Sequence, residues 1–473
     1  MNAEVDTELT AERKNDFSKG SIPATILRLA LPMTVAQLIN IMYSVVDRMY
    51  LGLGNTPDTG RLALTGVGIS LPLISILIGV ANLCGTGGAP LCSISRGKGE
   101  DDEAERILGN AFVLLLVFGV VLTAGVLIFI KPLLYMFGAS DGTYGYASSY
   151  LAIYMCGTIF VMISLGLNPF ITSQGFAKTG MASIAIGAVV NIALDPIFIF
   201  TLKMGVSGAA LATIIAQFCS AMWVLKFLTG KRAIIRLRLS CMKLELRRVT
   251  KIISLGLSGL CMSLTNSLIQ IVCNITLQKY GGDLYVGVIT VINAIREVMF
   301  MPVSGMNNGT TPVIGYNYGA GEYERVRKAT RFSITVTVVY SAVMWAVLML
   351  FPGTLIKMFN GEAELLAAGI PALRVYFLLF IFMSLQMSSQ VIFVSLGMAK
   401  YAIFFSLLRK AFIAAPLTVI LPLFGMGTDG VFIAEAISQF IGGVACFGTM
   451  YFVVYRRLAE GHPGGIAARE GRL

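Results

Sequence analysis

The chain has 473 residues, of which 56% are hydrophobic and only 13% charged, where an ordinary soluble domain is about 25% charged. A bilayer-crossing helix takes ~20 apolar residues, so this is the composition of a chain dissolved in lipid. It excludes a collagen, a coiled coil, a disordered tail and a soluble enzyme. The net charge of +11 does not imply nucleic acid, because a nucleic-acid binder gathers its basic residues on one exposed face. Here they fall between apolar runs, as expected of the Lys and Arg excess in cytoplasmic loops.

The first 21 residues mix acidic and basic side chains with no short apolar stretch and cleavage site. No signal peptide is expected, and the first apolar run should stay in the mature protein. Runs of spanning length predict helices over 24–50, 62–86, 106–130, 146–170, 180–202 and 206–228. A second set follows over 250–275, 284–308, 328–350, 366–392, 401–424 and 430–454. The eight cysteines lie mostly inside these runs without metal-ligand spacing and read as small core residues.

Two copies of one unit make up this pattern. At a constant offset of 222 residues, Gly87, Pro90, Gly97, Gly99 and Glu100 recur as Gly309, Pro312, Gly319, Gly321 and Glu322. In the same register Gly175, Ala177 and Lys178 recur as Gly397, Ala399 and Lys400, and Gly205, Gly208, Gln217 and Phe218 as Gly427, Gly430, Gln439 and Phe440. The predicted fold is therefore an all-α integral membrane protein, with twelve transmembrane helices in two six-helix lobes. Six is even, so both copies start on the same side, and their pseudo-two-fold axis runs along the membrane normal. The predicted organisation is a tail to residue 23, lobes at 24–228 and 249–456, a basic linker at 229–248 and a tail from 457. The linker is too short and charged to span; it is expected to lie on the cytoplasmic surface, as a membrane-surface segment or as a solvated connection.

Twelve spans put both termini on one side. Of the loops on the other, only Arg61, Lys131, Lys203, Lys279 and Lys357 contribute basic residues, whereas the tails and alternate loops hold nearly all the rest. Both termini are therefore expected in the cytoplasm, with the chain in the plasma membrane.

Missing motifs narrow the chemistry. The sequence has no GxxxxGK[S/T] phosphate loop and no HExxH, and its one histidine, His462, lies in the C-terminal tail. ATP hydrolysis, metal-assisted hydrolysis and histidine acid–base catalysis are not expected, and a duplicated twelve-helix chain of this kind is most simply a secondary transporter.

Charge inside a span is costly and marks function by default. Asp47 falls near the outer end of the first span. Asp195 falls in the fifth, with Asn191 four residues earlier on the same helical face, and Thr213 reaches similar depth in the sixth. Two carboxylates, an amide and a hydroxyl offer only oxygen, which suits a hard cation or a proton, and the two acids should titrate as a coupled unit. An interfacial Asp47 paired with Arg48 is the alternative for that residue. Pro196 removes a helical N–H and frees the Ile192 carbonyl beside Asn191; Pro32 does the same for Arg28 and lets the first helix bend, which would move Asp47. In the second lobe Arg296 and Glu297, Arg409 and Lys410, and Glu435 fall at similar depths, which predicts a structural salt-bridge network with a part in drug or proton binding.

On these residues the chain resembles the multidrug and toxic compound extrusion (MATE) family over essentially its whole length. The features that carry the resemblance are the twelve spans in two lobes, Pro32 with Asp47 in the first helix, Asn191-x-x-x-Asp195-Pro196 in the fifth, and the repeated glycine-rich turns. It implies export of organic cations and amphipathic drugs in exchange for Na⁺ or H⁺ through a central cleft. It implies a cation site at Asp47, Asn191, Asp195 and Thr213 with Tyr150 nearby, and substrate contacts at Gln37, Asn40 and Tyr43. Some members add acids in spans seven and ten for a second sodium site; this sequence has none there.

The expected function is thus a secondary multidrug exporter working by alternating access, with no enzymatic activity and no cofactor beyond the coupling H⁺ or Na⁺. Its expected partners are small drug-like molecules and membrane lipid, not nucleic acid, and it is expected to act as a monomer. The alternative is a lipid-linked oligosaccharide flippase, kept open by the basic residues of the second lobe.

Overall fold

The structure is a computed structural model that describes residues 16–53, 57–359 and 362–459. Among these the regular structure is helical, with no strand. The two tails and His462 of the sequence reading fall largely or wholly outside the described residues.

The first span, Ile22–Leu53, runs unbroken across the buried Pro32. Pro57–Gly97, Asp101–Ile128, Ala177–Pro196 and Gly205–Thr229 supply the second, third, fifth and sixth. The fourth is a broken rod, Asp141–Cys156 and Thr158–Ser173, bent by 59°. The tenth, Ala363–Tyr376 and Phe380–Ser395, is broken at the equivalent place and bent by 49°. Among the described residues eight helices are long and apolar enough to cross a membrane, and the two bent pairs make ten. The two longest stretches, Leu246–Gly319 and Ala399–Ala459, each turn at non-helical glycines, Gly282 in one and Gly425 and Gly427 in the other. Each therefore contributes two spans, and the total is the twelve expected.

By internal contacts the described chain divides into one unit comprising Arg28–Gly256 with the residues up to Lys19, and a second comprising Leu257 onward with Gly20–Leu27. The division falls at Gly256 rather than at the end of the charged linker. Close packing explains the difference: a Cβ on Gly256 would lie 1.9 Å from the Leu83 carbonyl oxygen, and one on Gly87 would lie 2.1 Å from that of Ile252. Two backbones this close leave room only for hydrogen, so the start of the seventh span belongs with the first unit.

The first part of the linker packs inward, while Leu239, Ser240 and Lys243 to Arg247 stay exposed. Ala233, Ile235 and Leu237 are buried, and the Ile235 N–H donates to Gln174 Oε1 at 2.9 Å. Buried Glu105 accepts from the Arg236 N–H at 3.2 Å and pairs with Arg238 at 3.2 Å. Further along, Arg248 bridges Glu103 at 2.7 Å and also Glu245. Arg238 and Arg248 are held by acids at the N-terminal end of the third helix, where negative charge is also favoured by the helix dipole.

The repeat is visible in atomic detail. Gly99 and Gly321 have φ of +78° and +76°, Gly205 and Gly427 +56° and +52°, so the conserved offset marks left-handed turns that a side chain would strain. Asn168 donates to the Gly180 carbonyl at 3.0 Å, and its equivalent Gln390 donates to that of Ala402 at 2.6 Å. Gly87 and Gly309 themselves lie inside helices. In lipid, where the hydrophobic effect does not drive helices together, such interhelical bonds average ~0.6 kcal/mol and close packing of small residues supplies most of the rest. Large apolar side chains such as Leu31, Val121, Ile128, Phe412 and Leu423 remain exposed, as a lipid-facing surface requires.

Candidate functional site

In the first unit the fifth helix sets Asn191 and Asp195 on one buried face, with 1% and 0% of each exposed. Pro196 follows at once. It cannot donate, and beyond it the backbone passes into a wider register over Ile197–Thr201, where the Leu202 N–H reaches back five residues to the Ile197 carbonyl at 2.9 Å. Gly205 then turns the chain, and the run Gly208, Ala209, Ala210, Ala212 lets the sixth helix pack close against the fifth. That approach brings Thr213 within reach.

The Asn191 amide donates to Asp195 Oδ1 at 3.4 Å and to Thr213 Oγ1 at 3.3 Å. Thr213 passes its own proton to the Ala209 carbonyl at 2.9 Å. With Thr213's proton committed there and the Asn191 amide donating to Asp195 Oδ1 and Thr213, Asn191 Oδ1 and Asp195 Oδ2 are left buried without a hydrogen-bond donor among the described residues. The Asp47 carboxyl faces that of Asp195 closely enough for the two to share a proton. Among the described residues no basic side chain pairs with Asp195. Asn191 and Asp195 are thus buried acceptors without a basic partner among the described residues. Arg48, the alternative partner for Asp47, has a side chain outside the described residues.

Tyr150 is buried at the edge of this group and stacks on Tyr154, ring centroids 6.1 Å apart. Tyr43 also faces it, its hydroxyl beside Thr213 and within the field of both acids. So of the residues expected to contact substrate, Tyr43 joins the acid cluster; Gln37 is half-buried and Asn40 exposed on the same helix. Tyr154 went unnoticed in the sequence, although it lies one turn from Tyr150 on the same face.

In the second unit the charge network forms without one of its expected members. Glu435 accepts from Lys410 Nζ at 2.8 Å and from Arg409 at 3.4 Å, all three buried. Arg409 also donates to Gln386 at 3.0 Å, and Arg296 to the Tyr376 hydroxyl at 3.2 Å. Glu297 is exposed and makes no hydrogen bond or ion pair among the described residues. Consecutive helical residues point about 100° apart, so Arg296 and Glu297 cannot both face the interior; Glu297 acts on Arg296 only as a neighbouring charge. Gln386 belongs to the cluster, and Gln439 lies wholly buried one turn beyond Glu435; neither was read as a site residue, since a glutamine in a span carries no charge to draw attention. The described residues hold no group of three or more His, Cys, Asp or Glu side chains able to take a metal.

Comparison with known proteins places this geometry. The sequence profile of the MatE family matches residues 32–197 and 260–420. The multidrug export protein MepA of Staphylococcus saprophyticus is 26% identical over 364 residues, covering 76% of this chain and 78% of that protein. MepA of Staphylococcus aureus is 25% identical over 326 residues, 68% and 70% of the two chains. Among solved structures, a MATE crystal structure in a bent conformation superposes with a TM-score of 0.88 at 23% identity, covering 96% of this chain and 99% of that one. A MOP superfamily transporter from Pyrococcus furiosus gives 0.87 at 23% identity, covering 94% and 98%. These structural likenesses establish the twelve-helix, two-lobe fold.

Proposed function

The chain belongs to the MatE family of multi-pass membrane transporters, and on that premise we propose that it exports drug-like organic molecules in exchange for a cation, H⁺ or Na⁺, by alternating access. Two relatives named multidrug export proteins support the substrate class. The coupling assignment rests on one observation above all: Asp195 and Asn191 present buried oxygens without donors, and Asp47 adds a second carboxyl to the same group. Two carboxylates out of water cannot both keep their charge unless a proton or a metal cation sits between them. Occupancy of the pair therefore changes the local charge by a full unit, and the arrangement that binds the ion better gains population accordingly.

The cation enters from the outer side, where the first, fifth and sixth helices bring the pair together, and both termini lie in the cytoplasm. The first helix carries the buried Pro32 as the place where it changes direction between arrangements, carrying Asp47 with it. No covalent step and no cofactor are involved, and one chain suffices. In cells expressing Asp195→Asn, cation-driven ethidium efflux should fall to the background of cells without the protein. Undiminished efflux at equal expression would remove the acid pair from the mechanism.

A further inference from the structure

The duplication relates the two polar clusters. Thr213 of the first unit recurs in position as Glu435 of the second, Tyr154 as Tyr376, Ser164 as Gln386, and Gln217 as Gln439. In the first unit Ser164 donates to Gln217 at 2.5 Å; in the second, Gln386 accepts from Arg409 at 3.0 Å instead, and Gln439 makes no hydrogen bond among the described residues. The charge of the two clusters is opposite. Where the first unit gathers two carboxyls, the second buries Arg409 and Lys410 against the single carboxylate of Glu435, with Arg296 nearby and Glu297 exposed. The buried group thus carries an excess of positive charge inside a membrane span. That state is costly unless a counter-ion is supplied.

Unused donors mark where the counter-ion would sit. Arg409 Nε has no hydrogen-bond partner, and neither does either polar atom of Gln439, which is wholly buried one turn beyond Glu435 on the same face. A guanidinium N–H and an amide left without acceptors in a dry interior each forgo a bond that buried groups nearly always make. Backbone geometry shows the same strain on regularity: Arg409 and Lys410 lie in a widened helical stretch, Leu408–Ala414, a feature that recurs at functional sites. Gly442 leaves the space their stems occupy, since a Cβ there would fall 2.8 Å from Arg409 Cγ.

We infer that the second unit holds an anion-binding site formed by Arg409, Lys410 and Gln439, which takes a halide or a carboxylate group. The carboxylate could be free or borne by an amphipathic molecule; the recognising chemistry is the same. The site stands apart from the cation pair of the first unit, and its test does not depend on transport.

The test is the thermal unfolding of the purified full-length protein in detergent, titrated with chloride, formate or benzoate against gluconate at constant ionic strength. A ligand that binds only the folded state raises the midpoint with a saturating dependence on concentration. Chloride or formate should do so while gluconate does not; benzoate acting at lower concentration than formate would identify the amphiphile as the source. Lys410→Gln should abolish the saturating rise. Glu435→Gln, which removes the competing negative charge, should lower the half-saturating concentration by about tenfold or more. A plain structural ion pair instead predicts that both variants destabilise with no anion dependence. The proposal is overturned if the wild-type protein responds alike to all four anions, a result that requires no variant to fold, or if Glu435→Gln weakens the anion response.

Discussion

Asp195 and Asn191 were legible in the sequence because an acid in an apolar run is conspicuous and a spacing of four puts both on one helical face. Thr213 was legible by its depth in the sixth span, whereas Tyr154 was not noticed and Gln439 stood out only as a repeat position. Tyrosine and glutamine are tolerated in spans, and only the packing of the fourth and twelfth helices shows that these particular ones turn inward. Glu297 was misplaced for the opposite reason: a charge stands out in sequence whichever way its helix turns it. At the membrane boundary, the guanidinium of Arg248 holds the Glu103 carboxyl below its ordinary range by hydrogen bonding. A carboxyl depressed on folding adds stability that is complete above its unfolded pKa, about 4.3, and is lost as pH falls through the lower folded value. Glu103→Gln should therefore lower the unfolding midpoint at neutral pH, and the gap to the parent protein should close on acidification below about pH 4. A gap independent of pH would show that the pair contributes no electrostatic stability.

Helix number and order followed from hydropathy, but helix length did not. The second helix continues to Gly97 and the eighth to Gly319, each about ten residues past its apolar window, because a window sees only the part in hydrocarbon while hydrogen bonding carries the helix on beyond it. The glycine-rich repeat holds two uses of the residue: Gly87 serves the approach of the seventh helix, and Gly99 a left-handed turn. The two uses of glycine should separate in mutants. Gly87→Ala drives a methyl group into the Ile252 carbonyl and should cost about 3 kcal/mol, the upper end for overpacking. Gly99→Ala meets nothing within 4 Å and strains only a left-handed turn, at about 1 kcal/mol. Chemical denaturation or thermal melts in detergent would rank them, and equal effects would contradict the packing assigned to the seventh helix. The linker was illegible as a packed segment because its charges look solvated until Glu103 and Glu105 are seen opposite them.

The duplication was readable from residue offsets alone and reappears in paired bends, paired glycine dihedrals and paired hydrogen bonds. What the offset did not reveal is that the two halves build polar clusters of opposite charge from different positions: Asp195 pairs with Leu417, and Arg409 and Lys410 with Gly187 and Ala188. For the chain as a whole, the distribution of Lys and Arg predicts that a C-terminal green fluorescent protein fusion is fluorescent and a C-terminal alkaline phosphatase fusion inactive; the reverse pattern would invert the assigned orientation. The central claim is that cation occupancy of the Asp47–Asp195 pair drives export. Its most direct test is ethidium movement in proteoliposomes under an imposed Na⁺ gradient or an imposed pH gradient, one at a time, with the wild-type protein and Asp195→Asn side by side. The account predicts transport by the wild-type protein under at least one gradient and none above empty liposomes for the variant. Equal gradient-driven transport by both proteins would contradict it.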